Sequence, residues 1–332
     1  MATLVFDRSL ETPYIGANVV PGHMEACWVY GWDAQRRVGW YEYLAATDDT
    51  GTTRRESVYL FLPDGTVLTR RGIGTRSRVG IAAGDLVEMA CDEPFARWHT
   101  GLHGDLDVLP PDAWTSGVTS GTTRVDLDLA LTSALTPPWS TEGPDGDPPP
   151  AFRYHQLHAT AATLRLDGDA QALAGTSFRS HSVRRREVPD FTGHVIGNVR
   201  LPSGRAAGVL AYRAADGAVG RSRGFYYDGK ALHDAEVQDF TFLTGARRDD
   251  RVHLALGTDV GDVSLTAKTV AGVFTTVVPG ERGAAHGGYD RLGVHDDDGR
   301  GLLFSFAFAE WELDGERAVG PCERSVALQA VR

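Results

Sequence analysis

The chain is expected to be all-β, with two antiparallel β-barrel or sandwich domains packed side by side, and three observations carry that expectation. Apolar residues recur at every second position along much of the sequence, the period of a half-buried strand. No long stretch keeps the spacing of an amphipathic helix. Across 332 residues, 39 glycines and 16 prolines interrupt the chain at short intervals, as the turns of a barrel or sandwich do.

Taken in order, the first aromatic strand is ACWVYGWD, where alternation sets Trp28, Tyr30 and Trp32 on one face; GWYEYLA follows, with Trp40 in the next strand. ESVYLFL comes next and ends at the turn Pro63-Asp64-Gly65. In TRVDLDLAL, Val125, Leu127, Leu129 and Leu131 fall on one side and Arg124, Asp126, Asp128 and Ala130 on the other. Residues 136–150, TPPWSTEGPDGDPPP, hold too much Pro and Gly for a ladder and form a long loop. The strand YHQLHATAATLRLDG then ends on Asp167-Gly168, and the expected boundary lies near 172, giving domains 1–172 and 173–332. GFYYDG, RVHLALG and GLLFSFAFAEWEL repeat the pattern in the second half, the last closed by the turn Asp314-Gly315.

Composition excludes several classes. A net charge of -11 offers no basic face for nucleic acid or an anionic membrane surface. No run of apolar residues is long enough for a membrane helix, and the start lacks the pattern of a secretory signal, so no integral membrane segment and a cytoplasmic location are expected. Cys27, Cys91 and Cys322 are odd in number and far apart, as reduced thiols are. There is no phosphate loop, no dinucleotide fingerprint and no G-x-S-x-G elbow, so no cofactor is expected. His99 with His103, and His155 with His158, have ligand-like spacings but lie outside any helix, and HDDDGRG lacks the spacing of a calcium loop; no metal is expected either.

Some residues invite chemistry. Trp28, Tyr30, Trp32 and Trp40 either fill a core or wall a pocket for a bulky apolar ligand. Glu310 continues the face of Phe304, Phe306 and Phe308, where burial would favour its proton-donating form; Glu25 and Glu42 border the tryptophan strands. In FRSHSVRRRE, alternation puts Arg179, His181 and Val183 on one side and Phe178, Ser180, Ser182 and Arg184 on the other. An inward Arg179 needs an acid partner or a polar ligand group, because an unpaired buried charge does not persist. An Arg–carboxylate brace between domains would satisfy the same residues without chemistry.

GTSFRSHSVRRRE resembles the Gly-x-x-x-Arg-Asp-His-Ser-Trp-Gly-x-Arg signature of the lipocalin-like double-domain family that includes carotenoid hydratase (hydroxyneurosporene synthase) and AttH-like proteins. YHQLHATAATLRLDG, FARWHTGLHG and the final CERSVALQAVR are similar to the strands around it. Arg179, His181, Ser182 and Arg186 keep the pattern; Ser180, Val183 and Arg184 replace its Asp, Trp and Gly. The family's downstream Tyr-x-Asp has only a differently spaced counterpart in Tyr212 and Asp216. The resemblance implies two calycin-like barrels or sandwiches, an apolar pocket, no cofactor, and water addition or cyclisation, including Diels–Alder type reactions.

The expected function is a cofactor-independent enzyme acting on a hydrophobic isoprenoid, steroid or polyketide-like molecule by hydration, dehydration, isomerisation or cyclisation. His181 would serve as acid or base, Arg179 would hold an oxygen and Glu310 is a further acid. Trp28, Tyr30, Trp32, Trp40, Phe178 and Tyr212 would contact the substrate. The alternative is a noncatalytic carrier of an apolar small molecule.

Overall fold

Strand-period sequence becomes strand throughout. The computed structural model describes residues 8–11, 23–46, 54–74, 81–140, 152–185, 192–278, 289–295 and 301–330. Two compact units are present: Met1–Val108 with Ser120–Arg186, and Leu109–Thr119 with Glu187–Arg332.

The first unit contains β1 (His23–Asp33), β2 (Val38–Ala46), β3 (Arg54–Phe61), β4 (Val67–Gly74), β5 (Ile81–Ala83), β6 (Val87–Glu93), β7 (Arg97–Leu109), β8 (Thr122–Ala134), β9 (Trp139–Ser140), β10 (Phe152–Leu166) and β11 (Asp169–Arg185), with a short 3-10 turn at Arg8–Glu11. The sheet runs β4-β3-β2-β1-β11-β10-β8-β7-β6-β5, and β4 also pairs with β7, which closes eight strands into a barrel. Val29, Trp40, Leu60, Leu102, Leu127, Leu129 and Leu164 belong to its buried apolar core.

The second unit contains β12 (Gly193–Arg200), β13 (Ala206–Arg213), β14 (Val219–Tyr227), β15 (Leu232–Phe240), β16 (Arg251–Thr258), β17 (Gly261–Val278), β18 (Tyr289–Leu292), β19 (Leu302–Leu313) and β20 (Glu316–Ala327). Its order is β16-β15-β14-β13-β12-β20-β19-β17-β18, and a pairing of β16 with β17 closes a second ring of eight. Val195, Val209, Leu254, Leu256, Leu265 and Trp311 are in its core. Among the described residues no helix is long and apolar enough to cross a membrane.

The turns act as their residues dictate. Asp167 and Gly168 have φ of 48° and 96°, and Asp314 and Gly315 have 51° and 81°. Each pair makes a two-residue hairpin loop with both φ positive, and so fixes the register of the strands it joins. Glycine is also required at Gly31, which stands opposite Trp40 in the β1–β2 register. A Cβ there would overlap the indole ring, so the missing side chain is what admits Trp40 to the interior.

Two expectations are revised. The division near 172 falls inside β11, whose partners are β1 and β10, so the units part after Arg186. Of the expected loop at 136–150, Trp139–Ser140 forms β9 against β10, while 141–150 lie outside the described residues.

Candidate functional site

Three adjacent strands place charged groups inside the first barrel. Register sets Cys27 of β1 opposite His181 of β11, and His181 opposite Tyr154 of β10. One step along, Val29, Arg179 and Gln156 are aligned in the same way. Because Cys27 and Val29 belong to the core cluster, the face they share with Glu25 is the inner one.

His181 and Arg179 are both fully enclosed, at 0% and 2% exposure. Nε2 of His181 lies 2.9 Å from Glu25 Oε1, and its Nδ1 lies 3.4 Å from the Tyr154 hydroxyl. Burial by itself favours a neutral imidazole, but Cys27 and Glu25 outweigh it and push the His181 pKa up to about 10. His181 is therefore an imidazolium with two donors. Arg179 donates from Nη1 to the Tyr154 hydroxyl at 3.1 Å and from Nη2 to Glu11 Oε1 at 2.7 Å. Its guanidinium lies 4.3 Å from the Trp98 ring centroid and 5.1 Å from that of Tyr154. Glu11, from the 3-10 turn, also accepts from Trp98 Nε1 at 2.6 Å and from the Phe95 amide at 2.9 Å. A continuous chain results: Glu25, His181, Tyr154, Arg179, Glu11.

Two more titratable groups share the interior. Glu42 alternates with Trp40 and Leu44 on the inner face of β2; burial pushes its pKa up to about 7, with Thr100 opposing. His158 is also inward; burial, and then the Arg179 charge, push it down to about 3, so it is neutral. Glu25, Cys27 and His181 each offer a donor atom within 4.8 Å of the others, a set that a divalent ion such as zinc accepts.

Of the residues expected from the sequence, Arg179, His181 and Trp40 lie inside this barrel, Trp40 donating from Nε1 to Ser177 Oγ at 3.3 Å. Trp28, Tyr30 and Phe178 lie on the opposite face of the same strands. There Trp28 is 5.6 Å from Tyr30 and 5.2 Å from Phe178, which stacks on His155 at 4.9 Å. Trp32 shares that outer face, so these three residues of β1 and Trp40 do not wall one cavity. The reason is register: Trp40 pairs with Gly31, not with Trp32.

Glu310 does continue the face of Phe306 and Phe308, but it is exposed. The burial on which its expected role as an acid rests is absent. Tyr212 is half-buried in the second unit, 6.3 Å from His194, and Arg186 lies outside the described residues. His99 and His103 are on β7 beside Asp92 and Asp126, where they make exposed pairs. A cleft of about 580 Å³ in the second unit is lined by Val219, Val237, Phe240 and Phe242, and none of the expected site residues reaches it. Sequence reasoning missed Glu11, Tyr154 and Trp98.

Among solved structures the chain is similar to an AttH candidate from Nitrosomonas europaea, with a TM-score of 0.61 and 14% identity over 94% of this chain and 99% of that one. It is similar to CghA, with a TM-score of 0.55 and 11% identity over 96% and 95% of the two chains. Kievitone hydratase from Nectria haematococca gives 0.50 and 8% identity over 96% of each chain. No protein-family model matches the sequence, and no curated protein matches it. At these identities the likeness establishes the fold, which is the lipocalin-like double-domain fold implied by the signature at 175–186.

Proposed function

We propose that the first barrel houses a cofactor-independent acid–base site that acts on a hydrophobic isoprenoid, steroid or polyketide-like molecule, by hydration, dehydration, isomerisation or cyclisation. The observation that carries this reading is the fully buried His181, held by Glu25 and joined through Tyr154 to Arg179. Two cationic donors on one phenolic oxygen polarise the Tyr154 O–H, which makes Tyr154 the proton donor and His181 its source of replacement. Arg179 then steadies an oxygen of the substrate, and Trp98 lends its π face. In the reverse sense the same groups take up a proton. That the fold is shared with proteins named a hydratase and CghA adds support of a general kind.

The test is turnover of a panel of isoprenoid, steroid and polyketide-type compounds in H2-18O and in D2O, read by mass spectrometry. At least one compound is expected to gain or lose water, exchange hydrogen or cyclise, with rates reduced about 100-fold or more in His181→Asn and Tyr154→Phe. Protein treated with chelator should retain full rate. Return of every compound unaltered, as from a carrier, or wild-type rates in both variants, would overturn the proposal.

A further inference from the structure

We infer that the Arg179 end of the first barrel is a carboxylate receptor whose internal occupant is Glu11, and that the protein's ligand is an apolar molecule bearing a carboxylate; this rests on the reading above and supplies its substrate class. The receptor is complete without Glu11. Arg179 comes from β11, Trp98 from β7 and the Phe95 amide from the turn before β7, while the carboxylate comes from a four-residue turn outside the ring. The guanidinium is already aimed: Trp98 and Tyr154 flank it and the Tyr154 hydroxyl holds Nη1, leaving Nη2 for an anion.

Backbone geometry gives a second, independent sign. Phe95 has φ of 59°, a conformation that costs a bulky residue about 1–2 kcal/mol. That conformation accompanies an amide directed at Glu11 Oε2, 2.9 Å away. The donors therefore divide between the two oxygens, a charged one on Oε1 and three neutral ones on Oε2, the third being the Cys91 thiol at 4.0 Å, as recognition of a planar carboxylate requires. The neighbouring charges agree. His158 next to Arg179 is neutral, and Glu25 is engaged by His181, so replacing Glu11 by an uncharged residue leaves Arg179 in need of an anion.

The experiment is carboxylate rescue of Glu11→Ala, followed by thermal unfolding and tryptophan fluorescence, with acetate, hexanoate and decanoate as probes. Glu11→Ala should unfold at lower temperature than wild type and regain about 3 °C or more on saturation with carboxylate. Decanoate should act at least tenfold below the concentration acetate needs, because its chain is apolar. Chloride at equal ionic strength and neutral decanamide should do nothing. Wild type should ignore millimolar acetate, since its tethered carboxylate competes at an effective concentration of about that order. If Glu11→Ala fails to fold alone, it is refolded with and without decanoate, and recovery of folded protein in decanoate but not in decanamide is the expected result.

Absence of carboxylate-specific rescue and binding, or equal rescue when Arg179→Met is added, would overturn the inference. No turnover is measured, so the two proposals fail separately. Rescue in a protein that transforms nothing sinks only the catalytic reading; His181-dependent turnover of neutral compounds without rescue sinks only the receptor.

Discussion

In the first barrel the inward positions of β1, β2, β10 and β11 carry Glu25, Glu42, Tyr154, His158, Arg179 and His181. The second barrel closes with the same number of strands around Val195, Val209, Leu254, Leu265 and Trp311. Among the described residues of β12 and β20, the face that carries Val195 and Cys322 holds one charge, Arg324, answered by Asp250 at 2.9 Å, while the buried pair His194–Glu323, 3.0 Å apart, lies on the opposite face. The mostly apolar filling shows that an eight-stranded ring of this kind closes with far less interior charge than the first barrel holds. Charges taken out of water cost several kcal/mol each before pairing, and well-packed apolar side chains serve stability as well or better. The polar interior of the first barrel is the ground on which the proposed site rests.

The sharpest way to break this contrast is to remove one member of the buried pair. Arg179→Met leaves the Glu11 carboxylate enclosed and without its charge partner, and should cost about 3–5 kcal/mol in urea unfolding. The double variant Glu11→Leu with Arg179→Met should recover most of that loss. A single variant as stable as wild type would mean that the interior charges are not coupled.

Next in size is a dependence on pH that an apolar barrel cannot show. Glu42 keeps its proton up to about pH 7 when folded and loses it from about 4.5 when unfolded, so stability falls as pH rises through that window. The shift corresponds to about 3 kcal/mol. Glu42→Gln should be more stable than wild type at pH 8 and differ little at pH 4, compared by urea midpoints. His158 has the opposite sign: pushed down to about 3 from 6.5, it withdraws stability as pH falls below 6.5. His181, raised from 6.5 to about 10, supports the fold fully below 6.5 and ceases to do so as pH climbs through 10.

Smaller effects should come from a feature the barrels share. Each sets a glycine against an indole, Gly31 against Trp40 and Gly197 against Trp311. At Gly197 an added Cβ would lie 3.1 Å from the ring, whereas at Gly31 it would lie 2.2 Å from it. Gly31→Ala should thus cost about 2–3 kcal/mol and Gly197→Ala under about 1, each read from the unfolding midpoint. Least of all, Glu310→Gln should leave turnover unchanged, because its carboxylate is exposed on the second barrel.

Strand periodicity made the fold legible, since alternation and turn residues agreed along TRVDLDLAL, RVHLALG and GLLFSFAFAEWEL. Arg179 and His181 were legible for the same reason: two residues apart on a strand, they share a face. Tyr154 could have been found. Counting back from the two-residue turn Asp167-Gly168 sets it opposite His181, a step the sequence permits once the hairpin is accepted. The pairing of β1 with β11, which brings Glu25 and Cys27 to the same place, joins residues some 150 positions apart with no local turn to announce it. Glu11 lay deeper still, because the four residues RSLE have no period and their partners lie far along the chain. Trp28 and Trp40 were grouped by proximity in sequence, and only register separates them.

The stretch 109–119 has its own consequence, because it interrupts one unit and completes the other. Trp114 packs 5.0 Å from Phe274, and Val294 donates to the Thr115 carbonyl at 2.7 Å. No single scissor cut can release either half intact, and a fragment starting at Glu187 would lack a native piece of itself. During synthesis at ordinary ribosomal speed, Trp114 must wait roughly ten to thirty seconds for Phe274 to emerge, exposed to whatever a nascent indole meets.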